Sequence, residues 1–511
     1  MRLFFIAAFC LFLLTTTAGQ PGFSKWFDFG IAANFHNMVL KGDTLIIAGT
    51  TKDTTTNQWG ALFVKMDTNG VILDYRLHLD TMDGQFAFNQ GYPFISTSDE
   101  GYLLAGKLFN RESYFIYKLD VNGDVEFFKE YFEPPDILTL QPRQMLEVSG
   151  GYLISTSAQL QNGINDIQLV KINDTGEVVW EKFYGEYSKA ETVSSIWQED
   201  ENTIVLGSSK ETDEFVELPS LLKCGSNWIF AIDSLGEVKW EWQSEPCEGN
   251  RVKGLHRTTD GGWIYATRNF EVFNQSNWGA APTFVKRDSQ FNLLWERQVA
   301  ESYWDANEMT DLRPTPDGNW VGAGIWVMPE PFNPLIANDS FYTPGCLYKV
   351  TEQGDSLWMR CDTVPMENHT YHHRYGGVAV LPSGSIVAAG GFKEEIWGVG
   401  NKAWAWVTKV DRDGCMEGPC PVTSVGEANA AEAEKVLCRI FPNPTKDVLQ
   451  IKTKSRAELI KLMNMDGQIL ATWKAPPPDK MIDVSHLAAG IYFVEIRFDD
   501  TREMHKIIKM R

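Results

Sequence analysis

Ile167-Gln168-Leu169-Val170-Lys171-Ile172-Asn173-Asp174-Thr175-Gly176-Glu177-Val178-Val179-Trp180 reads as two strand-like runs around a turn. Asp or Asn at the first turn position accepts local backbone hydrogen bonds, and Gly three residues later takes the positive φ that closes a hairpin. Ile167 and Leu169 share one face of the first run, and Val170 and Ile172 share the other. Apolar residues on both faces mean a strand covered on both sides. The Trp four residues after the Gly is then placed to pack between neighbouring sheets.

Working outward, the same marker recurs. It stands as Lys65/Asp67/Gly70, as Lys118/Asp120/Gly123 with Phe127, and as Asp233/Gly236 with Trp240. It continues as Lys286/Asp288 with Trp295, where Phe291 replaces the Gly, as Lys349/Thr351/Gly354 with Trp358, and as Lys409/Asp411/Gly414. Each copy follows a run ending in a small residue: Leu45–Gly49, Tyr102–Gly106, Tyr152–Thr156, Thr203–Gly207, Trp263–Thr267, Trp320–Gly324 and Ile386–Gly390. Each unit reads as four short strands with no helical period, and a linear solenoid would have shorter units. Radially repeated four-stranded units are propeller blades. The expected fold is all-β, a seven-bladed β-propeller over residues 20–420. The seventh unit stops at Cys420 without its outer strand, while Ser24–Gly30 resembles the outer strand Trp180–Gly185. The N-terminal strand is therefore expected to complete the last blade and remove an open edge.

The 511 residues, 43% apolar and 22% charged, exclude wholesale disorder. A formal charge of −21 argues against nucleic acid or an anionic membrane surface as the main partner. Arg2, the apolar run Leu3–Leu14 and the small residues Thr17-Ala18-Gly19 read as a signal peptide over residues 1–19, with the mature chain starting at Gln20. Cys10 lacks the small residues expected before a lipidated cysteine. No later apolar stretch reaches membrane-spanning length, so the expectation is an exported, soluble chain without a transmembrane segment. Seven cysteines remain, an odd number, and the candidate disulfides nearest in sequence are Cys415–Cys420, Cys346–Cys361 and Cys224–Cys247. No C-x-x-C or finger-spaced His occurs, so no metal site is assigned.

Residues 421–436 are Ala/Glu/Gly-rich and read as a linker. Beyond it the charge changes sign: residues 438–511 carry 13 basic and 9 acidic side chains (+4), against −26 over residues 20–437. That change marks a domain boundary, with a second domain over 437–511. Its runs Val448–Ile451, Leu459–Asn464, Ile469–Trp473, Gly490–Phe498 and Met504–Lys509 suggest a small antiparallel, Ig-like β-sandwich. Phe441-Pro442-Asn443-Pro444-Thr445, Met465-Asp466-Gly467-Gln468 and Leu487-Ala488-Ala489-Gly490-Ile491-Tyr492-Phe493, ahead of a basic end, closely resemble the type A C-terminal sorting domain of the type IX secretion system. The sorting motif is thus Phe441, Pro442, Asn443, Pro444, Gly467, Gly490 and Tyr492. The resemblance implies cargo of a Gram-negative bacterium. Such cargo is recognised by the outer-membrane translocon, cleaved by its C-terminal signal peptidase, and released or attached to the cell surface. Cys438 has no counterpart in that pattern. The repeats resemble, more loosely, uncharacterised propeller cargo found ahead of such tails.

The function is less legible. Long second-to-third-strand loops are expected at Ser208–Trp228, Arg268–Thr283 and Trp326–Cys346, and loops on a rigid scaffold often carry function. Their rings, Trp278 among them, suit sugar or peptide, or else pin the loops to the rim. Tyr303, Trp304 and Asp305, together with Tyr371, His372, His373 and Arg374, are the remaining candidate ligand-binding residues. Adjacent histidines in a strand point to opposite faces, which weakens a metal or acid/base role. Asp305, Glu308, Asp362 and Glu367 suggest an acidic mouth with Ca²⁺ as a conceivable ligand, although a solvated face is favoured and no cofactor is assigned. No catalytic residue is assigned either: G-x-S-x-G, Walker A and H-E-x-x-H are missing from the sequence, and no sialidase-type arginine triad with a nucleophilic Tyr can be placed. The leading expectation is a secreted or surface propeller that binds an extracellular glycan or protein. The alternative is a glycan-active lyase or hydrolase with its site at the propeller mouth, and a third option is a surface-layer component.

Overall fold

The computed structural model describes residues 22–79, 86–87, 93–108, 111–186, 188–216, 222–249, 251–274, 277–299, 308–325, 344–364, 366, 370–396, 400–416, 438–441, 447–453, 456–464, 468–477, 479–488, 490–498 and 502–509. The signal-peptide reading of residues 1–19 and the linker at 421–436 lie outside them. Among the described residues there is no helix, and so none long and apolar enough to cross a membrane. The chain divides near residue 425 into two compact units.

The first unit is a succession of antiparallel sheets, each built from consecutive strands. The third sheet sets the pattern: Ile137–Val148, Gly151–Leu160, Asn165–Ile172 and Val178–Tyr184 pair in sequence order. The fourth (Glu191–Asp200, Thr203–Val216, Leu222–Ile232, Val238–Gln243), the fifth (Lys253–Arg257, Trp263–Asn274, Asn277–Arg287, Leu293–Gln298) and the sixth (Glu308–Pro314, Trp320–Ile325, Gly345–Val350, Ser356–Asp362) repeat it. The first sheet runs from Ala32–Lys41 through Thr44–Lys52 and Trp59–Asp67 to Ile72–His78. In the second, Phe86–Ala87 and Phe94–Ser96 both pair with Tyr102–Leu108, followed by Ser113–Leu119 and Val125–Phe132. The seventh takes Thr370–Val380, Ile386–Ile396 and Gly400–Val410 from the end of the unit and Phe23–Phe27 from its beginning. That last pairing runs from Phe23 opposite Lys409 to Phe27 opposite Ala405.

Cores form between sheets, as apolar residues on both faces of a strand require. Ile167 and Leu169 pack with Leu206, Phe230 and Ile232 of the fourth sheet, whereas Val170 and Ile172 pack with Leu103 and Ile116 of the second. The cluster holding Leu45, Ile47 and Val64 of the first sheet also holds Val387, Ala389 and Val407 of the seventh, with Phe23 and Phe27 packed against it. The stack therefore closes on itself, the architecture of a β-propeller.

The recurring turn fastens each sheet to the next. Asn173 Oδ1 accepts from the backbone N–H groups of Thr175 (3.0 Å) and Glu177 (2.8 Å). Asp120, Asp233, Asp288 and Asp411 bind their own turns in the same way. Outer-strand side chains then clasp the turn of the following sheet. Trp180, Trp295 and Trp358 donate through Nε1 to the carbonyls of Ser234, Glu352 and Arg412 at 3.1–3.3 Å, and Tyr131 and Tyr184 donate to those of Gly176 and Gly236. A Cβ at Gly123 would lie 2.4 Å from the Phe63 ring of the first sheet, and its φ of 87° also calls for glycine. Phe291 takes the same left-handed conformation with φ 65°. Its ring stacks on Trp242 (5.1 Å between centroids) and Trp263, which keeps a bulky residue where glycine is expected. Lys25 of the N-terminal strand completes the series by donating to the carbonyls of Asn69 (2.8 Å) and Gly70.

The marker lysines tie turns together within and between sheets: Lys286 also pairs with Glu352 of the next sheet's turn, and Lys349 and Lys409 also donate to Arg412 O and Thr68 O. Lys118, Lys286 and Lys349 reach Asp99 (2.7 Å), Asp260 (2.7 Å) and Asp317 (2.6 Å) in the turn between the first two strands. Burial alone would raise Asp99 and Asp317, but pairing with lysine outweighs it and holds each at about 2.

In the second unit, Cys438–Phe441, Val448–Thr453 and Asp479–Asp483 form one antiparallel sheet. Ile469–Lys474, Leu459–Asn464, Gly490–Arg497 and Arg502–Lys509 form another. Leu449, Ile451 and Ile482 of the first share a core with Ile460, Leu462, Val494, Ile496 and Ile507 of the second. Cys438–Phe441 and Asp479–Asp483 are strands that the sequence reading did not place.

Candidate functional site

The first strand of each sheet lies innermost, against its counterparts in the two neighbouring sheets. Polar contacts between these strands fix their relative levels. Gln144 Nε2 donates to Ser194 O (3.1 Å), the Ser195 hydroxyl donates to Val252 O, and Thr310 Oγ1 donates to Tyr375 O (2.8 Å). A Cβ on Gly376 would meet His36 O at 2.4 Å, so only glycine permits that approach. Arg143, Lys253, Glu308 and Arg374, each within two residues of such a contact, are thereby brought near one another around the axis.

They form a charged cluster. Glu308 pairs with Arg251 across the fifth and sixth sheets. Burial would raise Glu308, but Arg251, Lys253, Arg268 and Arg374 outweigh it and hold it below the usual carboxylate range. Burial draws Lys253 down to about 8; Glu308 opposes this, and Arg251, Arg143 and Arg374 reinforce it. Burial also brings Arg374 down to about 10, with Glu308 pulling it back up. His36, bonded to Thr50 Oγ1 at 2.9 Å, falls to about 3 through burial and then the charge of Arg374. Arg251 keeps 43% of its side-chain surface exposed while Glu308 keeps 13%, so the cluster is reached from solvent on the side of Arg251. Among the described residues, four cations act on this one carboxylate.

Guanidinium groups stay charged at any physiological pH and bind oxyanions through paired donors. The arrangement is equipped to hold an anionic group, with Glu308 as an acceptor beside the donors. A second perturbed carboxyl, Glu191, lies at the start of the innermost strand of the fourth sheet. It is fully buried, accepts from Glu186 N (3.1 Å), and is pushed up to about 7 by burial.

Of the residues singled out from sequence, Arg374 and Glu308 lie in this cluster. His372 borders it, exposed, at φ 53° in a bulge of the innermost strand. Partial enclosure, Lys393 and Arg374 lower its pKa. His373 points the other way, fully buried, stacked on Phe392 (5.2 Å) and edge-on to Trp406, so its ring fills the core. Tyr371 lies on the same strand opposite Lys393, and Trp278 pairs with Val272; the side chains of both lie outside the description. Tyr303, Trp304, Asp305 and Glu367 lie outside the described residues. The remaining members of the expected acidic mouth are neutralised, Glu308 by Arg251 and Asp362 by Arg360 (2.7 and 2.8 Å).

Two of the expected long loops are ladders instead. Pairing continues from Ser208 opposite Trp228 to Val216 opposite Leu222, and from Arg268 opposite Pro282 to Asn274 opposite Asn277. The β-branched and aromatic residues of these segments prolong the hairpins. Trp228 is buried, stacked on Phe230 at 4.4 Å with its N–H on Glu241, and it anchors its hairpin. The third expected loop falls largely on undescribed residues.

Cys346 and Cys361, direct partners in adjacent strands, form a disulfide. Cys247 and Cys415 are disulfide-bonded as well; the side chains of Cys224 and Cys420 lie outside the description. In the sorting motif, Phe441 ends its strand opposite Gln450, Gly490 opens its strand opposite Lys509, and Tyr492 donates to Ala488 O at 2.9 Å. Pro442, Asn443, Pro444 and Gly467 lie outside the described residues.

Sequence reasoning missed Arg143, Arg251, Lys253 and Arg268. The innermost strands carry register shifts, at Phe35/Asn37, Pro142/Gln144, Val193/Ser195, Lys253/His256, Met309/Asp311 and Tyr375/Gly377. Such bulges break the alternation by which a strand is read.

Comparison with known proteins places the C-terminal unit. Residues 439–510 match the family model of the secretion system C-terminal sorting domain. This is the type IX sorting tail that the motifs of this segment resemble, and it marks the chain for export, to the cell surface or the medium. No curated protein matches the chain. Among solved structures, it is similar at 12% identity to the β-propeller domain of the Trilobed protease from Pyrococcus furiosus, over 78% of this chain and 100% of that one, with a TM-score of 0.38. It is also similar at 9% identity to Penicillium chrysogenum alpha-L-arabinanase, over 78% and 99% of the two chains, with a TM-score of 0.39.

Proposed function

We propose that the chain is a binding protein: a seven-bladed β-propeller, delivered to the surface or medium of a Gram-negative bacterium through the type IX system, that holds an extracellular glycan or protein at its axis. Residues 1–19 act as the signal peptide and residues 20–420 form the propeller, closed by its N-terminal strand. Residues 421–436 link it to an Ig-like sorting domain at 437–511. The translocon recognises that domain and its C-terminal signal peptidase removes it. The observation that carries the binding reading is the gathering of Arg143, Arg251, Lys253, Glu308 and Arg374, from the third, fifth, sixth and seventh repeats, near one another at the axis. Charged groups drawn out of water oppose folding unless something compensates them, and such departures collect at functional sites.

The test is a glycan and peptide array probed with the purified chain, alongside the Arg374→Gln variant. Defined ligands bound by the parent and lost in the variant support the reading. Silence across broad panels contradicts it, and turnover of a polysaccharide by the purified protein favours an enzyme instead.

A further inference from the structure

The axial cluster sits in a chain whose charge works against it. Residues 20–437 carry a net −26, yet among the described residues four cations act on Glu308, Arg251 in direct contact with it. A polyanion, whether nucleic acid, an acidic peptide or a heavily sulfated chain, would meet repulsion from the surrounding surface along most of its length. The contrast therefore selects a localised anion on an otherwise uncharged ligand. Glu308 adds a second selection. Its carboxylate supplies an acceptor next to guanidinium donors, a pairing that suits a group carrying hydroxyls beside its charge. Arg251 is the most open of the paired groups, so approach is from its side.

We infer that the axial cluster is a subsite for a sugar acid, a carboxylate-bearing sugar carried by an otherwise neutral glycan, with Arg143, Arg251 and Arg374 binding the carboxylate and Glu308 accepting from a neighbouring hydroxyl. This rests on the binding-protein reading and specifies its ligand. The acidic surface disfavours polyanions, and the half-buried cations discriminate the acid from its neutral counterpart, because only the acid offers them a counter-charge.

The experiment is isothermal titration of the purified full chain with glucuronate, an oligosaccharide ending in glucuronate, the same oligosaccharide as its methyl ester, an acidic hexapeptide and inorganic sulfate. Arg143→Gln and Arg374→Gln are expected to weaken the acidic oligosaccharide at least tenfold, with unchanged circular dichroism. Glu308→Gln removes the repelling charge but keeps an acceptor, so it should bind glucuronate as tightly as the parent or more so, a result that a purely structural lesion does not give. Equal binding of acid and ester overturns this inference while leaving the binding reading intact. Preference for the hexapeptide overturns the choice of a sugar. Sulfate binding without glucuronate binding reduces the cluster to a simple anion site and also overturns it. Silence of every probe overturns this inference, and the binding reading then stands or falls on the glycan and peptide array.

Discussion

The rim and the axis of the propeller follow different rules. At the rim, one hairpin turn recurs from sheet to sheet, binding its own backbone and held by the outer strand of the sheet before it. At the axis, the innermost strands carry unlike residues: Arg143 in the third sheet, Lys253 in the fifth, Glu308 in the sixth and Arg374 in the seventh. Repetition is what packing requires, because every interface between sheets solves the same problem. Departure from it marks where the molecule has some other task.

The sharpest way to break this contrast is to open the ring. Deleting residues 22–27 removes the strand paired with Gly400–Val410 and two phenylalanines packed on the closing core. The expected loss is about 4 kcal/mol or more, at roughly 2 kcal/mol per buried ring, with aggregation through the bared edge; denaturant unfolding and light scattering would show it. Next comes the rim staple. Replacing Cys346 and Cys361 together by Ser should cost about 3 kcal/mol for a loop of this length, read as a lower midpoint in urea under non-reducing conditions.

Phe291→Gly tests the one turn that departs from the rule. Relief of the positive φ returns about 1 kcal/mol, but the lost stack on Trp242 and Trp263 costs more, for a net destabilisation of about 1–2 kcal/mol. A more stable variant would show that the turn, rather than the ring, governs this position. The smallest effect concerns pH. Asp99 and Asp317 lie at about 2 when folded, below their unfolded value near 4. Their stabilisation is thus complete above about pH 4 and lost as pH falls toward 2. Both carboxylates remain about half exposed, so each contributes less than about 1 kcal/mol. Asp99→Asn with Asp317→Asn should flatten the acid limb of the stability–pH curve without altering stability near pH 1.5.

The same contrast explains what the sequence disclosed. The turns at Asp120, Asn173 and Asp233 were legible because Asp-x-x-Gly is a local device whose hydrogen bonds close within four residues. The N-terminal strand was legible because Trp26-Phe27 imitates other outer strands. The axial cluster was not, since its members are far apart in sequence and gathered by bulged strands, and nothing local distinguishes Arg143 or Lys253 from a solvated cation. The sorting tail was legible as motif, but its strands Cys438–Phe441 and Asp479–Asp483 are short and carry little alternation.

The central claim is that the axial cations are held against the interest of stability and kept for a ligand. Urea unfolding of Lys253→Met at pH 7 tests it most directly. Lys253 sits at about 8 when folded, below its unfolded value, so the folded state carries a penalty for its charge below that pH. The variant should be more stable than the parent by about 1–3 kcal/mol. A variant less stable than its parent would show that the lysine supports the fold, and would contradict the claim.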